Sequence, residues 1–277
     1  MLTVLFWNVA RRPCEKFVAN LARGHSVDIL VLAECVDPTA VGVALGASGG
    51  TKLLAHHPTR TLCRVAVFSR FQPTEFAEVE SFGRYCVHRL SGPNRLELLI
   101  VSAHALSGRN ASLLEQEEEL RAIRTRIAKI EDDPAHSHTR TLLIGDLNAD
   151  PFDRRVTAAV GLHAVADRRI AEKQSRRVAR QSYRFFFNPM WSFAGKQHPE
   201  PQGTYFYRKG KPDDRFWHTF DQVLLRPSLL PYFRDGDVSI LRDDGAGTSF
   251  QTADGRPDKK VASDHFPILL KLAYPGV

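Results

Sequence analysis

Thr141-Leu142-Leu143-Ile144-Gly145-Asp146-Leu147-Asn148-Ala149-Asp150 is an apolar run that breaks at a glycine into polar side chains. Thr141 to Ile144 has the composition of a buried strand. Asp146 and Asn148 follow, separated by one residue. In extended backbone, residues two apart share a face, so the pair is expected to meet in one cleft. Open α/β sheets bind ligands at the C-terminal ends of their strands, which is where the pair falls. Gly, Asp and Asn are also ordinary turn formers, and a polar turn closing a buried strand is the competing reading.

The flanking sequence repeats the pattern. Leu2 to Trp7 is a β-rich apolar run ending at Asn8, and Val27 to Ala33 is a second buried strand ending at Glu34. Between them, Pro13 to Arg23 has helical spacing, with Phe17, Val18 and Leu21 on one face and Pro13 in the first turn. Val41 to Gly50 reads as a helix. Lys52 to His56, Thr61 to Ser69, Glu75 to Glu80 and Tyr85 to Leu90 read as a run of antiparallel strands. Leu96 to Ala103 is a strand ending at His104. Ala111 to Ile130 is the longest helix. Leu113, Leu114, Leu120, Ile123, Ile127 and Ile130 form its stripe, and Glu115, Glu117, Glu118 and Glu119 its solvated face. Arg154 to Val160 is a short helix. Thr204 to Arg208 and Thr219 to Leu225 read as paired strands, and Asp243 to Lys260 as a mobile surface loop. Phe266 to Leu272 is the last strand, preceded by Ser263-Asp264-His265.

The chain has 277 residues, 43% hydrophobic and 25% charged, with no repeat or linker, so one domain over residues 1–277 is expected. A net charge of +7 favours anionic partners, such as nucleic acid or acidic lipid surfaces. Cys14, Cys35, Cys63 and Cys86 lack metal-like spacing, and reduced thiols in a cytoplasmic protein are expected. The N-terminus lacks a signal-peptide pattern, and no apolar stretch approaches a transmembrane segment.

Asn8, Glu34, His104, Asp146, Asn148, Asp221, Asp264 and His265 are the polar residues that strand ends collect. Carboxylate and amide oxygens are the ligands of a hard cation such as Mg²⁺ or Mn²⁺. Histidines transfer protons near neutral pH. Neither Cys-x-x-Cys nor His-x-x-x-His spacing, which a zinc site would use, occurs.

Six short motifs then carry a family resemblance: Phe6-Trp7-Asn8, Leu32-Ala33-Glu34, Ser102-Ala103-His104, Gly145-Asp146-Leu147-Asn148, Phe220-Asp221-Gln222-Val223 and Ser263-Asp264-His265-Phe266-Pro267. In this order they resemble the endonuclease/exonuclease/phosphatase superfamily, the deoxyribonuclease I-like proteins. The resemblance implies an α/β fold, a four-layer α-β-β-α sandwich of two packed mixed sheets with helices outside. It also implies a divalent-metal phosphoesterase. Glu34 would be the main metal ligand, with Asn8 and Asp264 close to the ion or its waters. Asp146 and Asn148 would orient water and phosphate. His265, held by Asp221, would act as general base or stabilise the transition state. His104 would contact a phosphate oxygen or protonate the leaving group.

His104 resembles the deoxyribonuclease I and sphingomyelinase branches rather than the apurinic endonuclease branch, which typically presents a tyrosine there. Phe187-Asn188-Pro189-Met190-Trp191 resembles a segment of bacterial members. For substrate contact, the basic stretch with Arg176, Arg177, Arg180 and Arg184 is a candidate for phosphates, and Trp191 for base stacking. A solvated face and core packing are the plainer readings of these two stretches. A nuclease acting on DNA or RNA is the favoured expectation. A phosphatase or phosphodiesterase for a lipid head group or small phosphoester, and a non-catalytic nucleic-acid-binding module, are the alternatives.

Overall fold

The computed structural model describes all residues except 48, 50–52, 94, 137, 197–199, 209–214 and 277. Its elements run β1 (Leu2–Asn8), α1 (Glu15–Gly24), β2 (Ile29–Ala33), α2 (Pro38–Ala47), β3 (Ala55–His57), β4 (Val65–Ser69), β5 (Phe76–Phe82), β6 (Tyr85–Leu90), β7 (Leu98–His104), α3 (Leu113–Glu131) and β8 (Thr141–Asp146). They continue with α4 (Arg154–Thr157), β9 (Ala164–Val165), α5 (Arg168–Ala171), β10 (Ser175–Val178), β11 (Gln181–Arg184), β12 (Phe186–Phe187), β13 (Tyr205–Phe206), β14 (Trp217–His218), β15 (Asp221–Leu225), β16 (Val238–Ile240) and β17 (Ile268–Leu272). A six-stranded sheet has the order β16-β17-β1-β2-β4-β3, and a seven-stranded sheet the order β5-β6-β7-β8-β15-β12-β9. Both are mixed: β1 is parallel to β2 and antiparallel to β17, and β8 is parallel to β7 and antiparallel to β15.

Side-chain alternation sorts the seven-stranded sheet into two faces. Leu142 and Ile144 of β8, Val223 and Leu225 of β15, and Leu98 and Ile100 of β7 join the core shared with the other sheet. Leu143, Leu224, Leu99 and Val101 point the other way, onto Leu120, Ile123, Ile127 and Ile130 of α3. The helix begins at a capping box: the Ser112 hydroxyl takes the Glu115 backbone N–H, and Glu115 takes that of Ser112. On the six-stranded sheet, α1 buries Val18 and Leu21 in the shared core. The result is the expected sandwich, with helices outside two packed sheets. Gly145 is required where β8 runs beside β7, because a Cβ there would collide with the Ala103 carbonyl oxygen.

Several expectations from the sequence change. The strand run from Lys52 to Leu90 does not form one meander: β3 and β4 join one sheet and β5 and β6 the other. The break follows β4, where Arg70 pairs with Asp28 and Phe71 enters the core. Lys52 and the C-terminal end of the helix expected over Val41–Gly50 lie partly outside the described residues. Thr219 to Leu225 does not pair with Thr204 to Arg208. Instead β13 pairs with β14, and β15 enters the large sheet beside β8. The stretch from Asp243 to Lys260 is anchored. Phe250 is 1% exposed and its ring lies 5.0 Å from that of Trp7. Backbone bonds from Phe250 to Arg242 and from Asp258 to Phe250 fold the stretch onto itself.

His88 in β6 is buried and stacks on Phe76 at 4.7 Å. Burial, then the neighbouring His57, pushes its pKa down to about 3. The unfolded chain binds a proton at this residue below about 6.5, and the folded chain does not until about 3. Stability therefore falls as pH drops through that window, by up to about 1.4 kcal/mol per pH unit. His88→Phe is expected to flatten this acid limb in urea melts between pH 6.5 and 4. An unchanged slope would contradict the assignment.

Candidate active site

The inner-face columns of both sheets end in polar residues at one edge. On β8 the column Leu142, Ile144 continues to Asp146, and on β15 Leu225, Val223 continues to Asp221. On β7, Leu98 and Ile100 lead through Ser102 to His104. On β1, Leu2, Val4 and Phe6 lead to Asn8. Register places Asp146 directly beside both Asp221 and His104. Asn8 crosses from the other sheet and donates its Nδ2–H to Asp146 Oδ2 at 2.9 Å.

The turn just before β17 supplies the histidine. His265 Nδ1–H donates to Asp221 Oδ2 at 2.8 Å, which fixes the ring and leaves Nε2 as the nitrogen open to chemistry. Burial disfavours charge on His265, but Asp221, with Asp146 and Asp264, pushes its pKa up to about 10. Burial pushes Asp221 up as well, against the pull of His265. The buried pair therefore holds a proton between its members. His104 Nε2 lies 3.6 Å from Glu34 Oε1 and 3.9 Å from Asp146 Oδ2. Burial pushes His104 down, against the pull of those carboxylates.

Asn148 reaches the cleft by another route than strand alternation. Strand β8 ends at Asp146, and Asn148 turns back with φ 48°. Its backbone N–H donates to Asp146 Oδ1 at 2.9 Å and its side-chain amide to the Ala105 carbonyl at 3.0 Å. The segment is thus an Asx-type turn, and it secures the second oxygen of Asp146. Glu34 also has a left-handed backbone, φ 54°. Such a conformation is costly for a glutamate and is kept where surroundings over-determine it.

The donors suit a hard divalent cation. Asp146, Asp221 and His265 each offer one donor atom, all within 4.8 Å of one another. Asp221 Oδ1 is buried with no hydrogen-bond partner among the described residues. Glu34 and Asp264 are only half-buried and keep carboxylate oxygens available. Asn8 is spent otherwise: its Oδ1 accepts the Ala10 N–H and its Nδ2 holds Asp146.

The basic stretch is not brought to this cleft. Arg184 pairs with Glu131 and Asp132, and its carbonyl accepts from buried Arg226, which lies beside Thr141. That is the opposite end of β8 from Asp146, roughly 17 Å away at about 3.4 Å per residue. Arg176, Arg177 and Arg180 are exposed on the β10–β11 hairpin that leads into Arg184. Trp191 is half-buried against the loop that follows Asp146, with its ring 5.9 Å from Phe152, over which the Arg215 guanidinium sits at 4.3 Å.

The structure adds residues that sequence reasoning passed over. The Ser263 hydroxyl donates to the Asn8 carbonyl at 2.6 Å and accepts the His265 N–H at 3.1 Å. Trp7 Nε1–H donates to the His265 carbonyl at 2.8 Å. Both residues stand inside the quoted motifs, which was the available signal. Tyr205 packs its ring 4.7 Å from that of His265 and takes a 3.1 Å hydrogen bond from Arg109. No local pattern marks that contact. Asp150 accepts from the Thr219 N–H at 2.9 Å and meets His218 Nδ1 at 2.8 Å, tying the loop after β8 to the approach to β15.

The profile described as the Endonuclease/Exonuclease/phosphatase family matches residues 5–265. The chain belongs to that family. Solved structures agree on the fold. The 3'-5' exonuclease NExo from Neisseria meningitidis is 18% identical, with 99% of this chain and 100% of that one covered and a TM-score of 0.54. A mannosyl-6-phosphatase from Bacteroides thetaiotaomicron is 14% identical over 99% and 100%, with a TM-score of 0.56. TDP2 of D. rerio, humanized by 14 mutations, is 17% identical over 98% of both chains, with a TM-score of 0.53. No curated protein sequence matches the chain significantly. Among the described residues, no helix is long and apolar enough to cross a membrane.

Ser263 tests how the cleft is braced. Ser263→Ala leaves the buried Asn8 carbonyl and His265 N–H without their partner. The expected cost is about 1–3 kcal/mol in urea melts. A loss below about 0.5 kcal/mol would show that the hydroxyl does not brace the end of β1 against the His265 turn.

Proposed function

We propose that this chain is a divalent-metal-dependent phosphodiesterase that hydrolyses nucleic acid. The observation that carries the reading is the convergence of an Asp221-held His265 with Asp146, His104 and Glu34 in one cleft. Glu34, Asp146 and Asp264 would hold the cation, with Asn8 orienting Asp146. A bound Mg²⁺ or Mn²⁺ supplies charge neutralisation at the phosphoryl oxygens and at the leaving oxygen. Asn148 and Asp146 position the attacking water and the phosphate. His265 holds or moves a proton at Nε2, and Asp221 keeps its ring oriented. His104 stands where it can meet a non-bridging or leaving oxygen.

A polymeric anion is favoured by the arginines at the same edge. Arg11 and Arg12 follow Asn8, and neither has an ion-pair partner among the described residues. Arg84 accepts the His104 N–H on its carbonyl, the Arg64 N–H donates to Gly83, and Arg109 reaches Tyr205. These loops are far apart in sequence, and a backbone of successive phosphates would engage several at once. The name of one structural relative, NExo of Neisseria, described both as a 3'-5' exonuclease and as a 3' phosphatase bound to product DNA, supports the same reading.

Cleavage of plasmid DNA, single-stranded DNA and RNA tests it. Cutting is expected with Mg²⁺ or Mn²⁺ and lost in EDTA, and His265→Ala or Glu34→Ala is expected to lower turnover at least ~10²-fold with the fold retained. Near-native rates in either variant would overturn the site. No cutting of any polymer, with metal-dependent turnover of a small phosphoester, would favour the reading as a phosphatase or phosphodiesterase for a lipid head group or small phosphoester. In the nuclease, Arg11→Ala with Arg12→Ala should weaken substrate binding and lower the log–log salt slope by about one unit per lost phosphate contact. An unchanged slope would remove these arginines from the substrate path.

A further inference from the structure

We propose that Cys63 and Cys86 are a dithiol that closes reversibly to a disulfide beside the catalytic edge. All four cysteines are free thiols in this structure. The Cys63 and Cys86 side chains lie close enough that each is the largest influence on the other's acidity. The backbone holds them there from both sides. Two residues before Cys63, Thr61 makes three hydrogen bonds to Ser81 of 2.7 to 3.1 Å. Ser81 is the cross-strand partner of Cys86. One residue after Cys63, the Arg64 N–H donates to the Gly83 carbonyl at 2.9 Å. The segment 61–64 is therefore laid along the β5–β6 hairpin, and Cys63 sits over Cys86 by construction. Cys63 is partly exposed, so a small oxidant reaches it, whereas Cys86 is fully buried and is reached through its neighbour.

The two thiols divide the chemistry. Contact with Cys86, and the Val65 and Arg64 N–H groups, pull the Cys63 pKa below its ordinary value against burial, which favours its thiolate. The Cys86 pKa is pushed well up, first by Cys63 and then by burial. With hydrogen peroxide as oxidant, the Cys63 thiolate sulfur attacks one peroxide oxygen and hydroxide leaves, giving a sulfenic acid. Cys86 sulfur then attacks the sulfenic sulfur, an S–S bond forms, and water leaves. Two thiols and one peroxide yield one disulfide and two waters. The other pair contrasts with this one. Cys14 and Cys35 line a cavity of about 240 Å³ next to Glu34, and burial pushes them up to about 12 and about 11. Those thiols stay protonated and unreactive.

The location gives the bond a consequence. Cys86 lies across from Ser102 on β7, two residues before His104, and Arg84 takes the His104 N–H. A disulfide there would fasten the segment carrying Arg64 to the strand that supports His104.

Stoichiometric hydrogen peroxide, followed by thiol counting on the denatured protein and mass mapping of non-reduced peptides, tests the proposal. The expected result is a fall from four thiols to two, with the Cys63 and Cys86 peptides joined in a monomer and freed by dithiothreitol. Cys63→Ser should keep its three remaining thiols under the same dose, while the Cys14→Ser, Cys35→Ser double variant should still form the bond. Four thiols retained, or a Cys14–Cys35 linkage in the native protein, would overturn it.

Discussion

The hydrogen bond from Asn8 to Asp146, 2.9 Å long and buried, is the contact on which the cleft depends. Asn8 ends a strand of one sheet and Asp146 ends a strand of the other. Two sheets packed through aliphatic faces have no intrinsic register, since dispersion and hydrophobic burial are non-directional. A buried amide–carboxylate bond is directional and costly to leave unmade. It fixes where one sheet edge stands against the other. The turn at Asn148 secures the remaining Asp146 oxygen, and Ser263 carries the link from Asn8 to the His265 backbone. Acidic, amide and imidazole groups from five strand ends and turns thus occupy one small volume.

The same architecture explains why polar groups can be buried there. The inner-face columns are apolar up to the sheet edge, Ser102 on β7 apart, so the core supplies rigidity while the edge supplies chemistry. Desolvation then acts on the edge groups in opposite ways. Burial favours the neutral form of His104, while the Asp221 carboxylate keeps His265 protonated. Neighbouring imidazoles in different states are what a site needs to accept charge at one oxygen and deliver a proton at another. The positive charge is divided too. Arg184 and Arg226 are consumed by Glu131 at the far end of the sheet, whereas Arg11 and Arg12, in the segment after Asn8, have no ion-pair partner among the described residues.

Much of this was legible in the sequence because the motifs sit where alternation and burial are strictest. The period-two pattern of Leu142, Ile144 and Asp146, and the ends of β1, β2 and β7, could be read without coordinates. Asn148 was placed at the cleft for the wrong geometric reason, because a turn and an extended strand use the same residue types. The basic stretch misled for a different reason. Charge density along the chain does not say which end of a sheet it occupies, and Arg184 turned out to neutralise Glu131. Tyr205, Arg109 and the Asp150–His218 contact could not be read, since each joins segments distant in sequence with no periodic signal. The split of the Lys52–Leu90 strands between two sheets was hidden likewise, because antiparallel strands look alike whichever sheet they join.

Mn²⁺ binding to the metal-free protein, followed by calorimetry, tests most directly whether this two-sheet cleft is a built cation site. The wild-type chain should bind the ion, Glu34→Gln should lose binding, and Asn8→Ala should weaken it by about 10–100-fold while circular dichroism stays unchanged. Equal Mn²⁺ affinity in all three proteins would contradict the account, because the Asn8–Asp146 bond and the Glu34 carboxylate would then have no part in holding the ion.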